Sequence, residues 1–104
     1  MNYVNLTPHT INMNDGRAFE PSGTIARVSV NIKESSMGDG FYNQTYGEVE
    51  GLPAPKHDTL YIVSGLVMGA TTRMDVIAPA TSHKDVVRND KGHIVSVSGF
   101  ISKF

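Results

Sequence analysis

The chain has 104 residues and a mass of 11.3 kDa, which fits a single domain over residues 1–104 and leaves no room for a second independent core. Nine Lys and Arg against ten Asp and Glu give a formal charge of −1, so no polycationic face is forced and duplex nucleic acid is not an expected partner. With no Cys, disulfides, zinc fingers, iron–sulfur sites and thiol nucleophiles are excluded. No signal-peptide pattern or apolar run of about 18 residues occurs, so a soluble protein without a membrane partner is expected.

In chain order, Val4-Asn5-Leu6 reads as a short strand that Pro8 interrupts, and an extended segment resumes from Thr10 to Met13. Asp15-Gly16 predicts a hairpin turn with both central residues at positive φ, and Pro21-Ser22-Gly23 turns the chain again. Over residues 25–32 the side chains alternate, with Ala26, Val28, Val30 and Ile32 on one face and Ile25, Arg27, Ser29 and Asn31 on the other. That period of two predicts a half-buried strand. Residues 34–40 read as a polar loop, 41–49 as an edge-like polar strand, and 51–58, with Pro53 and Pro55, as an extended connector.

Thr59-Leu60-Tyr61-Ile62-Val63 is nearly continuously apolar, which predicts a strand buried on both faces at the centre of the sheet. Ser64 is a good N-cap for a short helix over 66–72 with Leu66, Val67 and Ala70 on one face, and Asp75-Val76-Ile77-Ala78 follows as a strand. Residues 85–88 and 93–101 flank Asn89-Asp90-Lys91-Gly92 as a hairpin with Gly92 left-handed. The predicted class is therefore mainly β (α+β), a small twisted or barrel-like sheet with one short helix in a strand-helix-strand unit.

Two segments can carry recognition chemistry. Ser64-Gly65 stands where a buried strand feeds a helix, so Ser64 and the Gly65 N–H are predicted to accept a phosphate, with Arg27 and Arg73 clamping its oxygens. The competing reading is structural: Ser64 caps its helix and Arg73 sits near the helix end. In Thr7-Pro8-His9-Thr10, Thr7 and His9 are candidates to hydrogen-bond a ribose or base, against an ordinary structural histidine.

Other chemistry is thinly signalled. His57-Asp58-Thr59 fits the His-x-Thr element of two-histidine phosphoesterases, but only one copy is present. No histidine pair has metal-ligand spacing, and no GxSxG surrounds a serine. Phe41, Tyr42, Tyr46 and Tyr61 could stack on a base, but read better as core filler or the rim of an oligomer interface. The acceptor patterns at Asn5-Leu6-Thr7 and Asn43-Gln44-Thr45 are discounted for want of a secretory route.

Taken together, Asn5-Leu6-Thr7-Pro8-His9, Pro21-Ser22-Gly23, Ala26-Arg27-Val28, Tyr46-Gly47-Glu48-Val49-Glu50-Gly51-Leu52-Pro53, Tyr61-Ile62-Val63-Ser64 with Leu66-Val67, Arg73 with Asp75-Val76, Ala78-Pro79, and the closing Arg88-Asn89-Asp90, Gly92, Ile94-Val95 and Gly99-Phe100 form an ordered set. That set resembles a family of small phage and prophage proteins along nearly the whole chain. The resemblance implies a phage context, with the host cytoplasm as compartment. Small phage proteins of this size often act against host defence, and the chain is similar in size and expected self-association to sponges. These are oligomers that sequester nucleotide immune messengers without cleaving them.

The resulting expectation is a non-enzymatic homo-oligomer, with no cofactor and no metal. It would hold a phosphorylated small molecule, such as a cyclic nucleotide or an ADP-ribose isomer, through Thr7, His9, Arg27, Ser64, Gly65 and Arg73. The alternative is a phage structural or assembly protein with no small-molecule ligand. A phosphodiesterase using His57 and a second histidine ranks third.

Overall fold

The computed structural model describes residues 1–104 and places, in chain order, β1 (Asn2–Asn5), β2 (Ile11–Asn12), β3 (Ala18–Phe19), β4 (Arg27–Glu34), β5 (Tyr42–Glu50), β6 (Thr59–Ile62), α1 (Gly65–Ala70), β7 (Val76–Pro79), β8 (Val87–Arg88), β9 (Ile94–Ser96) and β10 (Phe100–Ser102). The protein is mainly β with one short helix, as its residue pattern predicts. The principal sheet has the order β1-β6-β7-β10, with β6 interior, and three two-stranded ribbons, β2-β3, β4-β5 and β8-β9, surround it. None of these sheets closes into a barrel, the one predicted architecture that is absent. The carboxyl end of β1 is instead met by the chain itself, through Ser22 N–H to Asn5 O (2.9 Å) and, just beyond the strand, Ala26 N–H to Leu6 O (3.0 Å).

The apolar run of β6 is buried on both faces because each face meets a separate layer. Tyr61 and Val63 join Leu6, Ala26, Val67, Met68, Val76 and Ala78 beneath α1, while Ile62 joins Ile11, Met13, Ile77 and Val97 on the opposite side. Tyr61, Ile62 and Val63 are at most 1% exposed, and each such side chain contributes roughly 1.5–3 kcal/mol through burial. The thirteen-residue passage from Ile62 to Val76 carries α1 and returns β7 parallel to β6, in the register Ile62↔Ile77. No helix is long and apolar enough to cross a membrane.

Local details depart from expectation for identifiable reasons. At Asp15-Gly16 only Gly16 takes a positive φ, +96°. Gly16 N–H donates to Met13 O and Met13 N–H to Arg17 O, which makes a turn with a glycine bulge rather than a two-residue mirror-image turn. In α1 the buried side chains are Val67 and Met68, whereas Leu66 is 45% exposed: the helix is rotated so that consecutive residues straddle its contact with the sheet.

The largest departure is at β4. Ala26 and Val28 pack into the core as expected, but beyond a bulge between Val28 and Val30 the β4-β5 ribbon leaves the body as an arm. Val30 and Ile32 are 38% and 65% exposed, so the predicted half-buried strand is unburied over most of its length. The arm explains a radius of gyration of 15.8 Å and extents of 49 × 39 × 25 Å, against about 13 Å for a compact chain of this length. Its root is anchored by Val28, Val49 and Leu52, and by Gly51 at φ +80°, whose backbone lies against the Ile25 carbonyl and Ala26 Cα.

Candidate functional site

Strands β1, β6 and β7 run parallel, in the registers Asn5↔Ile62 and Ile62↔Ile77, so their carboxyl ends lie side by side. Loops that follow parallel strands converge at that end of an open sheet, the usual position of a binding crevice. Here they open a cavity of about 850 Å³, lined by residues 7–12 after β1, by Ser64, Gly65, Met68 and Gly69 after β6, and by Ala78, Pro79 and Thr81 at the end of β7. Residues 94–97 and 101–103, from β9 and β10, form the remaining wall. The volume falls within the range of about 300–1,000 Å³ typical of small-molecule sites.

The loop after β1 is held by a buried side chain. Asn5 is 2% exposed, and all its amide hydrogen-bonding directions are used. Its Nδ2 donates to His9 O (2.8 Å) and Phe19 O (2.9 Å), while its Oδ1 accepts from Thr7 N–H (2.9 Å) and Thr7 Oγ1 (2.7 Å). These four bonds bend the chain over Pro8 and fix its distance from β3. They also commit the Thr7 hydroxyl hydrogen to the protein, so Thr7 can offer a ligand only an acceptor lone pair. The His9 carbonyl is tied into the same knot, while its exposed ring has no protein hydrogen-bond partner.

Ser64 does cap α1: its Oγ accepts from Val67 N–H at 3.2 Å. The cap leaves the Ser64 hydroxyl hydrogen and the first helical N–H, that of Gly65, without a protein acceptor, and both residues line the cavity. At six residues α1 is under two turns long, so its dipole adds little, and hydrogen-bond donors rather than a helix field are what this end provides.

Four of the six predicted ligand residues, Thr7, His9, Ser64 and Gly65, therefore line one cavity, and the two arginines do not. Arg27 begins the arm, exposed, opposite Glu50. Arg73 is bound on three sides: Nε to Asp75 Oδ1 (2.9 Å), Nη2 to Asp75 Oδ2 (2.6 Å) and Nη1 to Pro53 O (2.6 Å), with its guanidinium 5.7 Å from the Tyr61 ring centroid. A fork used this way has little left for a phosphate. The cation that does line the cavity is Lys103, whose ammonium donates to Thr71 O at the end of α1 and keeps further hydrogens. Lys103 and His9 are the cavity's ionisable side chains, and no carboxylate lines it.

The Arg73 network makes a stability prediction. Arg73 holds the Asp75 carboxyl below the usual carboxylate range, chiefly by hydrogen bonding, and the two side chains are 24% and 21% exposed. Arg73→Ala is expected to cost about 2–3 kcal/mol, and Arg73→Lys to recover little of it because the fork geometry is lost. Because the folded-state value of Asp75 is depressed, its contribution is complete above the ordinary carboxylate range and disappears as pH falls through the depressed value. The advantage of wild type over Asp75→Asn in urea unfolding should therefore be full at neutral pH and vanish in acid.

His57 lies in the exposed connector before β6, outside the cavity, and His83 bonds Asp85 N–H at 3.1 Å. No group of three or more His, Asp or Glu side chains comes together as a cation site. Residue-level reasoning missed Asn5, Lys103 and the β9-β10 wall. Only Asn5 had a local signal, an Asn two residues before Thr and three before Pro, the pattern of a side chain closing its own turn. No protein-family model, curated protein or solved structure matches this chain.

Proposed function

We propose that the protein is a homo-oligomeric binder that sequesters a phosphorylated small molecule in this cavity without altering it, most concretely a nucleotide immune messenger in a phage anti-defence role. The observation that carries the reading is the cavity itself. Two segments 57 positions apart whose residue types predict hydrogen bonding to a ligand, Thr7 with His9 and Ser64 with Gly65, both line it. Ile11, Met68, Ile94, Val95, Val97 and Ile101 supply an apolar bed for a base, and donors at Ser64, Gly65, His9 and Lys103 suit an anion in a lining free of carboxylates. In this reading Lys103 takes the phosphate role first assigned to Arg27 and Arg73.

Calorimetry against a panel of cyclic oligonucleotides and ADP-ribose isomers tests the proposal. Binding of at least one member is expected, with the ligand recovered unaltered in mass after the protein is denatured. Lys103→Ala should weaken that binding by about tenfold or more, since a charge-assisted hydrogen bond is worth roughly 1.5–3 kcal/mol. No heat with any member would remove the reading, and a ligand returned cleaved would replace it with hydrolysis.

The exposed arm favours a second reading, a phage structural or assembly protein that packs through β4-β5. Mass spectrometry of purified virions separates the two, because an assembly component stays in the particle and a sponge does not.

A further inference from the structure

Strands β4 and β5 pair only with each other. Past the bulge, Val30, Ile32, Tyr42 and Tyr46 share one face of the ribbon with Gln44 and Glu34, and the four apolar side chains are 38%, 65%, 64% and 49% exposed. A two-stranded ribbon with an uncovered apolar face is marginal in water at best, so its order calls for a partner surface.

Charge selects that surface. The arm, residues 27–50, carries Glu34, Asp39, Glu48 and Glu50 against Arg27 and Lys33. Arm against arm would set two negative ribbons together, which like-charge repulsion opposes. Residues 84–103 hold the opposite inventory, Lys84, Arg88, Lys91 and Lys103 against Asp85 and Asp90. The same segment exposes Val87, Ile94, Val95 and Ile101 at 45%, 40%, 48% and 53%. It thus matches the arm in both apolar character and sign, and three of those four residues also bear on the cavity.

We infer that the arm of one copy lies across the β9-β10 wall of a second copy, reciprocally, and that Tyr42 and Tyr46 roof the second copy's cavity. Reciprocal exchange about a twofold axis uses each arm and each wall once, and so closes without propagating. The site is then completed by the neighbour: one protomer supplies the bed and the donors, the other the aromatic lid. The lid's role toward a ligand rests on the function proposed above, but the arm-to-wall contact does not.

The absence of cysteine from the chain makes the contact directly testable. Separately purified Tyr46→Cys and Val95→Cys proteins, both altered at half-exposed surface positions, are mixed without ligand and oxidised. The mixed disulfide is expected to exceed both same-variant products. In sedimentation equilibrium the unmodified protein should be oligomeric, and Ile32→Glu, with an unchanged far-ultraviolet spectrum, should shift to monomer.

A monomeric unmodified protein, or cross-linking dominated by Tyr46→Cys with itself or by Val95→Cys with itself, overturns the inference. The two proposals fail separately. Cross-linking with no ligand heat leaves the arm contact standing and removes the binding function. Ligand heat from a monomer removes the arm contact and the oligomeric part of the proposed function, and leaves ligand binding in the cavity standing.

Discussion

Asn5→Asp should lower stability by about 3–5 kcal/mol, a drop in Tm on the order of 20 °C for a domain of this size. The change is isosteric, so its effect comes from the lost donor and the added charge rather than from packing. In the native protein Nδ2 donates to the carbonyls of His9 and Phe19 from a side chain that is 2% exposed. A carboxylate places a charged acceptor against both carbonyls: Phe19 O loses the donated amide hydrogen, and His9 O is left with the Thr7 hydroxyl at 3.1 Å. The two bonds from Thr7 to Oδ1 survive, so the damage concentrates on the His9 and Phe19 side of the turn. Lowering the pH should relieve part of the loss, since a protonated carboxyl can restore one donated bond, and Asn5→Ala should show no such recovery. Thermal unfolding of the three proteins across pH checks this. If Asn5→Asp unfolds within a few degrees of the parent, the side chain is not the anchor of the cavity loop.

Gly51→Ala should be of comparable severity, about 3–5 kcal/mol, and should act on the arm first. At φ +80° an alanine already pays about 1–2 kcal/mol for left-handed backbone. The added Cβ would also collide with the carbonyl oxygen of Ile25 and press on Ala26 Cα, both backbone atoms that cannot swing aside as a side chain can. Relief requires the segment before β4 and the end of β5 to separate, which pulls Val28 and Val49 away from the core at the root of the arm. Amide hydrogen exchange should therefore quicken across β4 and β5 before it does in β6. Gly16→Ala is the internal control, because its Cβ would meet nothing within 4 Å and only the φ penalty remains. A Gly51→Ala protein no less stable than the Gly16→Ala control would show that the close approach costs nothing.

How much of this was legible depends on whether the information was local. The burial of Tyr61, Ile62 and Val63, the Ser64 cap and the left-handed Gly92 could all be read, because each follows from a few neighbouring residues. The arm could not. Alternation over 25–32 marks one face as apolar but does not say whether another element fills it, and β4 beyond Val28 has none. Arg73 was open to misreading because a guanidinium suits a phosphate and a carboxylate equally. Asp75 two residues on, presented from the same side, decides the matter only once both are placed. That Thr7 and His9 would meet Ser64 and Gly65 depends on β1 lying parallel beside β6, a strand order that no short pattern encodes. Lys103 reaches the site through β10 for the same reason.

The order β1-β6-β7-β10 also bears on how the molecule comes to exist. Asn2 pairs with Thr59, so β1 has no partner within the central sheet until a strand 57 positions further along the chain has been synthesised. At roughly 5–20 residues per second the ribosome leaves that strand waiting for several seconds. Contacts between such remote segments form slowly even in a finished chain. The central sheet is therefore incomplete until β10 has been made, and the pocket, walled both by residues 7–12 and by the β9 and β10 segments, takes its shape only then.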